Sequence, residues 1–401
     1  MMLGADATRL GTAPRFLLPL LAFGNFLVGM GAFVVIGILG PIAQGLGITP
    51  SEAGLTLTVY SIVYAVGSPL LVALFGRLDR KWLIILGLGL FLAGTVASAL
   101  ATSLATLIAA RIPVALGAGI FTPTAAGIAV AVSAPEQRGR ALAMVFAGLP
   151  MAQAIGVPLG AWLGFRFGWQ ETFWAVSGVT ALGLLLVGLS TPPRLPFQVT
   201  NLASFLTVFR DGVTSFAILF TAIFLGGIYV FYTYFGASIE ASVGPNPELR
   251  TFYFLIFGIG AVIGNAVGGF LTDRVGSVRT LTFLSIAQAL LLLGFSFGPL
   301  NLVLLAGLVT LWSICGWSFA VPQQARLVAL APEAQNLVLA LNAACIYVGI
   351  ALGSGVGSVV LRHFGLDALG VAASAVAVLA LVHILLSDAQ ARRARAKPTG
   401  A

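Results

Sequence analysis

Long apolar runs separated by short polar breaks recur along the whole chain. They fall at 14–39, 51–75, 82–101, 104–130, 140–164 and 170–190, and again at 213–237, 251–271, 281–299, 301–321, 337–361 and 367–387. Each is close to the roughly 20 residues that a helix needs to cross a hydrocarbon layer. The runs lack the strict two-residue alternation of outer-membrane strands, and Leu, Ala, Gly and Phe dominate them. The pattern predicts twelve membrane-spanning helices and an all-α membrane protein.

Composition agrees. Hydrophobic residues make up 59% of the 401 positions and charged residues 8%, against roughly 25% charged in soluble domains. So little charge cannot cover a water-facing surface, so the expected partner of the surface is the lipid bilayer. The start, MMLGADATRL, is too polar for a signal peptide. Cys315 and Cys345 both fall inside apolar runs and read as small core residues, so neither a disulfide, a metal site nor any cofactor is expected.

Basic residues set the expected orientation. With the N-terminus in the cytoplasm, sixteen Lys and Arg fall on inner segments and three, Arg166, Arg250 and Arg362, on outer ones. Both termini are then cytoplasmic and the protein lies in the inner or plasma membrane. The asymmetry accounts for the net charge of +8 without nucleic acid. The tail ARRARAK reads as an anchor at anionic lipid.

The second half repeats the first. LFGRLDRK at 74–81 pairs with LTDRVGSV at 271–278, an offset of 197 residues. The same offset pairs APEQRGRALA at 134–143 with APEAQNLVLA at 331–340, and RFGW at 166–169 with HFGL at 363–366. It also pairs Gly67, Gly119, Gly156 and Gly160 with Gly264, Gly316, Gly353 and Gly357. The expected organisation is a six-helix half at 1–190, a cytoplasmic linker at 191–212, a second six-helix half at 213–387 and a basic tail at 388–401. Parallel repeats of this kind place a binding cavity at their interface, near the membrane midplane.

On these features the chain resembles the major facilitator superfamily, over nearly its whole length. The family's loop pattern Gly-x-x-x-Asp-Arg-x-Gly is matched by Gly269, Asp273, Arg274 and Gly276. The first copy departs from it, with Gly76, Arg77 and Asp79 at the Asp, Arg and final Gly positions, followed by Arg80. A similar Arg-Leu-Asp-Arg loop occurs in the efflux branch that includes arabinose and drug exporters. The resemblance implies two pseudo-symmetric six-helix bundles, a monomer, and alternating access to a small-molecule substrate, with protons as a candidate coupling ion. Arg77, Asp79, Arg80, Asp273, Arg274 and Gly276 are then gate residues. Asp273 is expected to meet the start of span five near Arg138 and Arg140 when the cytoplasmic side closes.

Span five carries Gly148, Gly156, Gly160 and Gly164 at spacings of eight, four and four, a bare stripe where another helix can approach. Pro150 and Pro158 are expected to bend it. The stripe resembles the family's antiporter motif, which is associated with exporters, and makes Gly148, Gly156, Pro158 and Gly160 conformational candidates.

Arg111 is the one basic residue read as deep within a run. By the helical rise it sits about 10 Å from the outer end of span four. Charge at that depth costs several kcal/mol, so it is expected to face a cavity, or to bond carbonyls of a neighbouring helix. The similar exporters carry Gly-x-x-Glu-Phe-Val in span one. Here the stretch is Gly29-Met30-Gly31-Ala32-Phe33-Val34, with Ala32 where the acid would stand, and no Asp or Glu falls mid-run. Coupling then rests on a peripheral carboxylate, on charge carried by the substrate, or on downhill transport. The resemblance turns spans one, four, seven and ten to the cavity, making Asn25, Arg111, Tyr229, Tyr232 and Trp312 the candidate substrate contacts. Two histidines in all, and no HExxH, GxSxG or GxxxxGK[ST], speak against a membrane enzyme or an ATP-driven pump.

Overall fold

The structure is a computed structural model that describes residues 16–75, 78–134, 137–193, 195, 211–298 and 300–396. Among these residues, twelve helices are long and apolar enough to cross a membrane. In order they are Leu17–Leu46, Pro50–Leu74, Arg80–Ala99, Leu104–Ala131, Arg138–Phe167 and Trp169–Ser190, then Gly212–Val243, Pro247–Val275, Ser277–Gly294, Leu302–Leu330, Gln335–Phe364 and Ala368–Ala396. They are called spans one to twelve. The side where span one begins is the start side, and the opposite side is the far side.

The short polar breaks act as caps. Thr49 and Glu52 form a reciprocal capping box on span two, with Pro50 in its first turn. Ser103 and Thr106 do the same on span four. Asp79 accepts from the Lys81 amide at 2.8 Å. Asp211, Asn246 and Asn301 cap spans seven, eight and ten. In lipid every helix-end amide must be satisfied locally, so these scarce polar residues sit at the helix ends.

Several spans are longer than their apolar runs predict. Span one continues through Pro41 and Gln44 to Leu46. Span seven breaks at Thr233 and Tyr234 and resumes as Phe235–Val243. Span ten breaks at Ser318 and Phe319 and resumes as Ala320–Leu330. Protein neighbours supply the partners at these breaks: the Ser318 hydroxyl donates to the carbonyls of Gly264 and Ile314. Span twelve runs on as helix to Ala396, through residues expected to be tail, with an Arg392–Asp388 ion pair on its surface. Of the expected linker, residues 194 and 196–210 lie outside the described residues.

Spans one and seven are the most enclosed, with 89% and 72% of their apolar windows buried; they occupy equivalent places in the two repeats. Glycines let the neighbours approach. A Cβ at Gly148, Gly160 or Gly164 would lie within 2.5 Å of span one, at Ala22, Val34 or Ile38. A Cβ at Gly353 or Gly357 would lie equally close to span seven, at the carbonyls of Gly226 and Val230. Span five therefore seats on span one as span eleven seats on span seven. Apolar side chains such as Leu182, Phe283, Leu290 and Leu379 point outward, as lipid-facing positions do.

Candidate transport pathway

The first six and last six spans meet along two seams, span two against span eleven and span five against span eight. On the first seam the Ser51 and Ser358 hydroxyls pair at 2.8 Å, as do those of Thr58 and Ser354. Nearer the midplane the Tyr64 and Tyr347 rings stack with centroids 3.6 Å apart, and Tyr60 lies 6.3 Å from both. Tyr347 was not singled out from the sequence, because one tyrosine in an apolar run looks like any other core aromatic.

On the second seam, span five loosens into a π-helical turn over Ala152–Gly156. Such turns free a backbone carbonyl and shift side-chain register. A Cβ on Gly258 of span eight would stand 2.3 Å from Ala154 Cα, so the turn fits tightly against the other six spans. The Gln153 amide donates to the Tyr229 hydroxyl at 3.3 Å. Pro158 sits at the first turn of the α-helix that resumes at Val157, so the irregularity is a register shift rather than a simple proline bend.

Three of the five candidate contacts come together. Tyr229 and Tyr232 meet edge to face at 5.6 Å, Tyr232 stacks on Phe257 at 4.1 Å, and Trp312 lies 6.0 Å from Tyr232. Phe231, Phe235 and Phe295 complete an aromatic nest around Trp312. The Tyr232 hydroxyl and the Trp312 Nε1 are buried without a hydrogen-bond partner.

Arg111 is fully buried. Its Nη2 donates to the Gly31 carbonyl, one residue before Ala32. Its guanidinium lies 4.9 Å from the Tyr60 ring centre and 5.9 Å from that of Phe173. Nε and Nη1 have no partner, and among the described residues no carboxylate lies within 4.0 Å of it. Arg111 thus bonds a carbonyl of a neighbouring helix and still holds two uncommitted nitrogens. Arg326 is a second buried arginine, bonded to Ser387 of span twelve at 2.8 Å. It lies beyond the apolar run at 301–321, on the helix that resumes as Ala320–Leu330.

Asn25, expected as a cavity contact, has both ends of its amide hydrogen-bonded within the first six spans. Its amide donates to the Val145 carbonyl at 3.0 Å and accepts from the Thr122 hydroxyl at 2.9 Å. Both polar ends tie spans one, four and five together, so it is committed to packing within the first six spans.

Of the gate candidates, Arg77 lies outside the described residues. Gly276 ends span eight and caps span nine at φ +86°, a conformation that side chains rarely adopt. Arg274 lies over the Phe270 ring at 4.6 Å. Asp79 caps span three, whose first residue is Arg80. Among the described residues Asp273 forms no ion pair with Arg138 or Arg140. The start-side piece of span five, Arg138–Phe146, packs on spans one and four, and that of span ten packs on spans seven, eight, nine and eleven.

Contacts across the divide gather on the far side instead. Arg166 pairs with Glu248 at 3.4 Å. Arg250, paired with Glu240 within the last six spans, reaches across to lie 3.9 Å over the Phe165 ring of span five. A cavity of about 370 Å³ adjoins them, lined by the end of span one, Phe165, Glu240 and Arg250.

Sequence and structure comparisons place this arrangement. A profile of the Major Facilitator Superfamily matches residues 21–330 and 243–401. The chain belongs to the Major Facilitator Superfamily. It is similar to an uncharacterized MFS-type transporter of Bacillus subtilis (strain 168), YbcL, with 31% identity over 94% of this chain and 96% of the relative. A second, YtbD of the same organism, is 30% identical over 86% and 88%. In fold, the superfamily chain matches a bacterial homolog of the human lysosomal transporter Spinster, crystallised inward-facing and unoccupied. That TM-score is 0.74 at 16% identity, over 96% and 98% of the two chains. The occupied inward-facing form scores 0.74 at 18% identity, over 93% and 96%. The protein is therefore a multi-pass secondary transporter of small molecules and not an enzyme.

Proposed function

We propose that this transporter exports its substrate from the cytoplasm by alternating access. Residues 1–190 and 213–387 act as the two rocking units, 191–212 as a cytoplasmic link, and 388–401 as a membrane anchor. The start side is cytoplasmic, both termini face it, and the protein works as a monomer in the inner or plasma membrane. The observation that carries this reading is the position of the contacts between the units. One ion pair and ring contacts join them at the far side and midplane, while the start-side pieces of spans five and ten pack within their own unit. This is the state open to the cytoplasm, ready to load.

Export rather than uptake is supported by the glycine stripe of span five, seated on span one as in the antiporter motif it resembles. The Asp273 loop would then close the cytoplasmic side on Arg138 or Arg140, with Arg274 beside it. One observation favours a second reading, a facilitator for an anionic or oxygen-rich solute: Arg111 is buried with no acid beside it among the described residues.

The test is a growth-inhibition panel of antibiotics, dyes and sugars. Cells lacking their main exporters would express wild type or Gly148→Leu at equal levels. Protection by wild type alone is the expected result. Sensitisation by wild type would reverse the direction, and no effect from any compound would remove the export reading.

A further inference from the structure

The midplane polar atoms share a chemical bias. Arg111 Nε and Nη1, Trp312 Nε1 and the hydroxyls of Tyr60 and Tyr232 are buried without partners. Against these donors, among the described residues, stand the orphaned amide acceptors Gln153 Oε1 near the seam and Gln288 Oε1 beside Trp312. Buried donors are left unpaired only rarely, since each costs its desolvation. A buried arginine with no counter-charge is the most expensive of them.

The missing counter-charge has an address. The Arg111 Nη2 reaches the carbonyl of Gly31, beside Ala32, and no Asp or Glu occurs between residues 18 and 51 of span one and its exit. Among the described residues the acids nearest the far-side ends, Glu52, Glu171, Glu240 and Glu248, lie at helix ends. Glu52 is spent on its cap, Glu240 on Arg250 and Glu248 on Arg166. Ring faces lie beside Arg111, from Tyr60 and Phe173, on the seam, from Tyr64 and Tyr347, and in the nest of Tyr232 and Trp312.

We infer that the substrate is a planar aromatic anion, that Arg111 supplies its counter-charge, and that the membrane potential alone drives its export. Rings offer stacking faces to a flat body, and the orphaned donors match carboxylate or sulfonate oxygens. An anion leaving a cytoplasm that is electrically negative moves down the potential. One net negative charge per cycle gives about a 50-fold driving ratio at ~100 mV. Such a cycle needs no protonatable acid in span one, which accounts for Ala32 at that place. This inference rests on the export reading above and goes beyond it in substrate class and energy source.

The experiment uses purified full-length protein in liposomes, with equal pH on both sides and a potential set by potassium and valinomycin. The probes are three ionised aromatics, 1-naphthalenesulfonate, indole-3-acetate and benzoate. Neutral 1-naphthalenesulfonamide and cationic ethidium serve as contrasts. At least one anion is expected to move toward the positive side, reverse when the potential is reversed, and stop when it is collapsed. Arg111→Gln should lower that rate at least tenfold, and Arg111→Lys should restore part of it, at equal yields of monodisperse protein. The potential reversal on wild type decides the point even if the variants misfold.

Movement of ethidium or the sulfonamide, with none of the three anions, would overturn the inference and leave a transporter. Anion movement that ignores the potential and follows a pH gradient would overturn the energy source. Movement of no probe would remove the inference, and the growth panel would then judge export separately.

Discussion

At the residue scale, the decisive positions are those where a side chain has no room or no partner. A Cβ at Gly148 would stand 2.1 Å from the Ala22 carbonyl oxygen and 2.6 Å from the Phe26 amide. Backbone atoms cannot step aside as a flexible side chain can, so Gly148→Leu should separate spans one and five. Overpacking of this kind costs about 1–3 kcal/mol. A lowered melting midpoint in detergent, with lost transport, is the expected outcome. Gly188→Ala is the contrast, since its Cβ would meet Ile85 at an ordinary 3.5 Å and the midpoint should hold. Asn25 makes a second case. Its two bonds at 3.0 and 2.9 Å satisfy a buried amide between spans one, four and five. Asn25→Leu should cost stability of about 1–3 kcal/mol through the groups left unpaired. Substrate affinity in the surviving protein should be unchanged, which binding titration would check.

At the scale of elements, the turns and irregular helices matter most. Gly276 joins spans eight and nine with φ +86° and ψ 158°, a region essentially reserved for glycine. Gly276→Val should cost about 1–3 kcal/mol of backbone strain, read as a lower unfolding midpoint. Gly269→Ala on the same helix has its nearest contact at 4.0 Å and should be silent. The π turn at Ala152–Gly156 could not be foreseen from span five. Its sequence shows glycines and prolines that suit a bend, but the extra backbone residue is accommodated only because Gly258 of span eight leaves space. The breaks in spans seven and ten were hidden for a related reason. Thr233, Tyr234, Ser318 and Phe319 carry no helix-breaking signal, and partners from other spans, Ser354 for Tyr234 and Gly264 for Ser318, supply the hydrogen bonds.

At the scale of the whole molecule, the far-side contacts close one side, and in the proposed cycle the start-side loops close the other. The Arg166–Glu248 pair is more than half exposed and should contribute under about 1 kcal/mol. Arg250 is 7% exposed, held by Glu240 and stacked on Phe165. Arg250→Ala should therefore shift the population toward far-side opening much more than Arg166→Ala. Spin-label distances between the ends of spans five and eight would measure both. Asp273→Asn should do the reverse, depleting the state closed to the cytoplasm. Equal distance distributions for that variant and wild type would remove Asp273 from the gate.

The sequence by itself determined the twelve spans, the two-fold repeat and the family, because lipid thickness imposes run length and because the 197-residue offset survives in the residues that set turns and close approaches. Glycine stripes on spans five and eleven were legible for the same reason. Arg111 could be singled out because charge within an apolar run is rare. Only the tertiary structure decided what each polar residue meets. It tied Asn25 to spans four and five, gathered Tyr229, Tyr232 and Trp312 into one nest, brought Tyr347 against Tyr64, and left Arg111 without an acid among the described residues. Those pairings join residues up to about 300 positions apart, and the packing angles that bring them together are set by helix surfaces in contact, which no local pattern encodes.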